Sequence, residues 1–144
     1  MTFEEWADSH KDDLSALQQS DEEIRDLLLI ASREINDAMT VASPEGKLGH
    51  AHNACLALAA AVLSSRGYRV RKGSPAHHWR LIESLEFTMN LSQGKGKELQ
   101  DYRKKRSLSI YDRTGIVTNT EAESALSSAR QLQRAVEEKL SIGT

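Results

Sequence analysis

At 144 residues, 39% hydrophobic and 28% charged, the chain has the size of one domain and the apolar content for one sizeable core, which excludes an intrinsically disordered protein. The longest apolar run, Ala54 to Leu63, spans ten residues, whereas a membrane-crossing helix needs roughly 20. The start Met1-Thr2-Phe3-Glu4-Glu5-Trp6 is acidic, unlike a signal peptide, and Cys55 as the single cysteine forms no internal disulfide, so a cytoplasmic domain with no membrane partner is expected.

Almost every segment reads as helix. The first covers about residues 3–17, with Thr2 as its cap and apolar Phe3, Trp6, Leu14 and Leu17. Ser20-Asp21-Glu22-Glu23 is a capping box that opens a helix over about 21–40, where Ile24, Leu27, Leu28, Ala31, Ile35, Ala38 and Met39 recur at helical spacing. Ser43-Pro44 has the pattern of an N-cap and first helical residue, although Gly46 and Gly49 weaken an early start; the helix is expected to be firm from Leu48 to Arg66, with Gly67 as its terminator. Six alanines and no charge between Lys47 and Arg66 mark this helix as buried on most sides.

Beyond a basic loop from Gly67 to Gly73, Ser74-Pro75 repeats the cap pattern ahead of a helix over about 75–90. Gln93-Gly94-Lys95-Gly96 reads as a break, followed by a helix over about 97–111 and a loop from Arg113 to Asn119. Thr118-Asn119-Thr120-Glu121 is a second capping box and starts a helix over about 120–141. No segment alternates like a strand. The expected fold is all-α, an up-and-down bundle of five to six helices in one domain over residues 1–144, with 1–19 as an N-terminal helical extension.

The formal net charge of −2 conceals a polarised chain: the balance is −8 over residues 1–47, zero over 48–65, +7 over 66–113 and −1 over 114–144. A basic centre suits an anionic partner such as nucleic acid or nucleotide phosphate; the alternative is that the acidic and basic segments neutralise one another in the fold. Within that centre, Tyr102-Arg103-Lys104-Lys105-Arg106-Ser107-Leu108-Ser109-Ile110-Tyr111 is the notable block. Arg103 and Arg106 share a helix face, and Tyr111 follows Arg106 by five residues. Two guanidinium groups and a phenol can grip a phosphate and stack on a base; an ordinary solvated basic face is the other reading. Lys104 and the loop residue Arg69 complete the candidate binding set.

No metal site and no cofactor are expected. His50 and His52 are two apart and His77 and His78 adjacent, neither of which aligns two imidazoles on one helix face, and no HExxH or second cysteine exists. Cys55 lies in the least polar helix and reads as a small core residue. No strand precedes Gly94-Lys95-Gly96, so these glycines are not a phosphate-binding loop.

The chain resembles the HEPN family, small helical bundles linked to ribonuclease toxins and their antitoxin systems. Four features carry the resemblance: the Ala-rich helix ending in Ser65-Arg66-Gly67-Tyr68-Arg69, the Ser74-Pro75-Ala76-His77-His78-Trp79 helix start, the Arg103…Arg106…Tyr111 block, and the helix beginning near Glu121-Ala122-Glu123. They cover about residues 20–141. Nuclease members carry an arginine followed four to six residues later by a histidine, and their dimers bring two such motifs together to cleave RNA. Arg106 matches the arginine, but Tyr111 stands in the histidine's place, and a phenol with a pKa near 10 is a poor general base at pH 7. The resemblance therefore implies a homodimeric protein that binds RNA or a nucleotide, or the HEPN half of a toxin–antitoxin pair with a nucleotidyltransferase-type partner, its catalysis lost or weakened. Two alternatives stand beside it. One is an active metal-independent endoribonuclease using Arg106 and Tyr111; the other is a non-enzymatic dimeric interaction module.

Overall fold

The computed structural model of the chain describes residues 1–18, 20–74, 76–111 and 116–141, with Ile110 and Tyr111 described by their backbone alone. Among these residues, six helices and one two-stranded antiparallel sheet follow in the order α1 (Phe3–Ser9), β1 (Leu14–Ala16), α2 (Asp21–Thr40), α3 (Pro44–Ser65), β2 (Tyr68–Val70), α4 (His77–Thr88), α5 (Gln93–Tyr111) and α6 (Asn119–Leu140).

The central element is α3, which packs against α2, α4, α5 and α6. Its Leu48, Ala51, Ala54, Leu58, Ala59, Val62 and Leu63 are buried, and the small alanine side chains let four helices approach one rod. From the other helices, Ala31, Ile35 and Ala38 of α2, Leu81, Ile82 and Leu85 of α4, Leu99 of α5, and Ala125, Ala129, Leu132 and Val136 of α6 join the same core. The uncharged composition of α3 is thus the sequence record of its central position.

The helix starts follow local side-chain chemistry. Thr2 and Thr118 form complete capping boxes with Glu5 and Glu121, and the Ser20 hydroxyl accepts from the Glu23 amide at 3.3 Å. The Ser43 hydroxyl accepts from the Gly46 amide at 3.0 Å, and α3 begins at Pro44, earlier than the two glycines suggest. A Cβ at Gly46 would lie 2.8 Å from Val41 Cγ2, so the absent side chain is what allows this turn to close. Gly67 ends the segment with φ 86°, the left-handed conformation expected of it.

Four local expectations are corrected. The first helix stops at Ser9, and Leu14–Ala16 instead pairs with Tyr68–Val70, in the register Leu14 to Val70 and Ala16 to Tyr68. Three-residue strands are too short to alternate visibly, and they form only because residues far apart in sequence meet. The presumed break at Gln93–Gly96 is the first turn of α5, where the Ser92 hydroxyl accepts from the Lys95 amide at 3.1 Å and Gly96 leaves room for Glu86. The Ser74 hydroxyl does not cap α4 but donates to Asp13 Oδ1 at 3.0 Å; the N-cap position is Ala76, without a side-chain bond. Pro75 and residues 112–115, which include Arg113, lie outside the described residues.

Residues 1–19 contribute Phe3, Trp6, Ala7 and Leu14 to the common core. Trp6 is buried, stacks on Phe87 and donates its indole N–H to Glu83 Oε1 at 2.8 Å. No helix among the described residues is long and apolar enough to cross a membrane.

Candidate phosphate-binding site

Helical spacing sorts the basic block of α5 into two faces. Tyr102 and Lys105 turn towards α6: the Tyr102 hydroxyl donates to Glu98 Oε1 at 2.8 Å and contacts Ser124, while Lys105 pairs with Glu121 at 3.3 Å. Arg103 and Arg106 turn towards α4 and α3. Lys104 is exposed between the two sets.

Both site arginines are held by amides. Arg106 Nη1 donates to Asn53 Oδ1 at 2.6 Å, and its Nε lies over the backbone of Gly49, 3.8 Å from where a Cβ would sit. Asn53 in turn donates through Nδ2 to Glu34 Oε1 at 3.3 Å. Arg103 Nε donates to Gln100 Oε1 at 2.9 Å, and Gln100 Nε2 donates to the Trp79 carbonyl at 3.0 Å. The Arg103 guanidinium also lies 5.3 Å from the centroid of the Trp79 ring, which is 38% exposed. Among the described residues, neither arginine has a carboxylate within ion-pair distance. An amide satisfies one N–H of a five-donor fork and neutralises none of its charge.

Two imidazoles share this field. His52, on α3, is only 3% exposed, and its ring centroid lies 5.9 Å from that of His78 at the start of α4. Burial pushes the His52 pKa down to about 3, and the positive charge of Arg106, with His78 and Arg103, acts in the same direction. His78 is also held below its ordinary value, first by burial and then by His77, Arg106 and Arg103. His52 Nε2 is buried and without a hydrogen-bond partner among the described residues. The imidazoles at this site are therefore neutral near pH 7 and beside guanidinium groups that make no ion pair among the described residues, a combination suited to an anionic ligand.

A cleft of about 280 Å³ opens beside Arg106, lined by Glu45, Gly46, Gly49, His50, Asn53 and Ser109 as well. Arg69 lies elsewhere. It lines a separate, mainly apolar cavity of about 370 Å³ between α2, α3, β2 and α4, together with Leu27, Leu63, Lys72, His77 and Leu81. The Tyr111 side chain is outside the described residues.

Of the expected binding residues, Arg103 and Arg106 come together, and Lys104 and Arg69 do not join them. Sequence reasoning missed Asn53, Gln100, Trp79 and His52, and could name His78 as a source of imidazole without placing it near Arg106. Gln100 is detectable in principle, since it lies three residues before Arg103 on the same helix. The others reach the site from α3 and α4, and no local spacing records that.

Cys55 is buried, and burial pushes its thiol up to about 12, consistent with a packing role. No protein-family model matches the chain, and neither a curated protein nor a solved structure is similar to it.

Proposed function

We propose that this is a HEPN-like helical domain that binds RNA or a nucleotide through phosphate at Arg103 and Arg106. The observation that carries this reading is the pair of guanidinium groups fixed by Gln100 and Asn53 instead of carboxylates, with His78 and His52 beside them. Positive charge left uncompensated at a fixed place attracts an anion, and a planar fork with unused N–H groups matches phosphate oxygens bidentately. Exposed Trp79, next to Arg103, offers a surface for a base.

The test is binding of a single-stranded RNA oligonucleotide and of adenosine monophosphate, measured across salt concentrations with chelator present. Replacing both arginines by alanine should weaken binding by roughly 30- to 100-fold and flatten the salt dependence. Unchanged affinity removes the assignment.

One observation favours a second reading, an active ribonuclease. His78 and His52 supply imidazole within electrostatic reach of Arg106, whereas the motif itself carries Tyr111 in sequence. On that reading, expression in cells degrades RNA and slows growth, and His78→Ala abolishes the effect. Normal growth with intact RNA at good expression excludes it. A homodimer and a nucleotidyltransferase-type partner belong to the same proposal, to be checked by light scattering and by the neighbouring genes.

A further inference from the structure

We propose that Glu34, Asp37 and His50 form a binding site for one divalent transition-metal ion, with Zn²⁺ the preferred occupant. One ligand atom from each side chain lies within 4.8 Å of the other two, and among the described residues no other set of three His, Cys, Asp or Glu side chains meets that condition. His50 Nδ1 is 2.6 Å from Glu34 Oε2. Two carboxylate oxygens and one imidazole nitrogen suit borderline divalent ions, and an imidazole in the set disfavours Mg²⁺ and Ca²⁺.

The set is preorganised by the fold. Glu34 and Asp37 are three apart on α2 and so share one face, while His50 arrives from α3. Ala31, Ile35 and Ala38, buried beneath that face, lock α2 onto α3 and fix the separation of the ligands. The Glu34 side chain is only 16% exposed, and its second oxygen accepts from Asn53, the kind of outer hydrogen bond that orients a metal-binding carboxylate.

A separate feature shows where the remaining coordination positions would open. His50 and Asn53 form part of the wall of the cleft that contains Arg106, so an ion held by His50 borders a space large enough for water or an anionic ligand. An ion with three protein ligands and open positions has the composition of a working site, whereas structural zinc sites are closed by four. This inference does not rest on phosphate binding by Arg103 and Arg106, because it concerns different side chains and is tested with no phosphate ligand present.

The experiment is calorimetric titration of chelator-treated protein with zinc chloride, manganese chloride and magnesium chloride in a non-coordinating buffer. One Zn²⁺ per chain is expected, bound at least tenfold more tightly than Mn²⁺, with no measurable Mg²⁺ uptake. Asp37→Asn, at an exposed position, and His50→Ala should each weaken Zn²⁺ binding by roughly tenfold or more. Glu34→Gln preserves the hydrogen-bonding shape and should do the same, with circular dichroism confirming the fold. His77→Ala should leave one tight Zn²⁺ per chain, since that imidazole is a competing surface donor outside the proposed set. Absence of Zn²⁺ binding at millimolar concentration overturns the proposal, as does uptake that survives Asp37→Asn and His50→Ala unchanged.

Discussion

Arg80 on α4 and Arg106 on α5 are both fixed by short hydrogen bonds, but to different kinds of oxygen. Arg80 reaches Asp13 at 2.9 Å and Glu83 at 2.5 Å, and Glu83 also accepts the Trp6 indole N–H. Burial alone would lower the Arg80 pKa, yet the hydrogen bonds and charges of Glu83 and Asp13 outweigh it and raise it. Asp13 is held below its usual range, first by the Ser74 hydroxyl and then by Arg80. That junction ties α1, the β1 end and α4 together, and its one positive charge is met by two carboxylates. Arg106 and Arg103 are held by neutral amides, add to the burial that lowers the pKa of two imidazoles, and make no ion pair among the described residues. Positive side chains alone therefore do not mark a binding site; the decisive property is what neutralises them.

The sharpest separation comes from Trp6→Ala, which empties a fully buried site in the compensated region and removes one of the two donors to Glu83. It should lower unfolding stability by about 3–5 kcal/mol, read by denaturant titration. The residual folded protein should keep its phosphate affinity, and a parallel loss of both would show the two regions to be one unit.

Acid titration probes the other side. His52 has an unfolded pKa near 6.5 and a folded value of about 3, so below pH 6.5 the unfolded chain takes up a proton that the folded chain refuses. The folded state is accordingly favoured above pH 6.5 and loses about 1.4 kcal/mol for each pH unit from 6.5 towards 3. His52→Leu should remove that component of the acid limb and, by eliminating the unpartnered Nε2, be neutral or stabilising at pH 7.5. Superimposable acid limbs for the two proteins would contradict the burial of a neutral imidazole.

Smaller effects test the comparison arginine by arginine. Arg80→Met should cost about 1–2 kcal/mol of stability, since Asp13 and Glu83 are partly hydrated and only part of their desolvation is stranded. Its RNA affinity should stay within about twofold of wild type, a difference of roughly 0.4 kcal/mol. Gln100→Ala is expected to be the mildest. It frees Arg103 from its amide anchor and should weaken nucleotide binding about two- to fivefold with stability nearly unchanged, which would assign Gln100 the positioning of Arg103. A stability loss with unaltered affinity would instead make Gln100 a purely structural clamp between α4 and α5.

The helices were legible because their signals are local. Apolar spacing in α2, the uncharged alanine run of α3 and the Thr118–Glu121 box each lie within one element. The same locality explains the failures. Leu14–Ala16 becomes a strand only through Tyr68–Val70, and Ser74 leaves its cap role because Asp13 competes for it. At the site, i,i+3 spacing puts Arg103 and Arg106 on one face of α5, and both turn towards α4 and α3, whereas Lys105 pairs with Glu121. A rule confined to one helix also set aside His50, whose neighbours Glu34 and Asp37 stand on α2.

The sequence by itself determined a helical protein with an alanine-rich central rod and an arginine pair on one face of α5, because periodicity, caps and charge are written within a few residues of one another. Only the tertiary structure decided that Arg80 would be neutralised and Arg103 and Arg106 would not. That outcome depends on which carboxylates and amides come within 3 Å of each guanidinium: Asp13 ahead of β1 for Arg80, 67 positions away in the chain, Asn53 of α3 for Arg106, and Gln100 of α5 itself for Arg103.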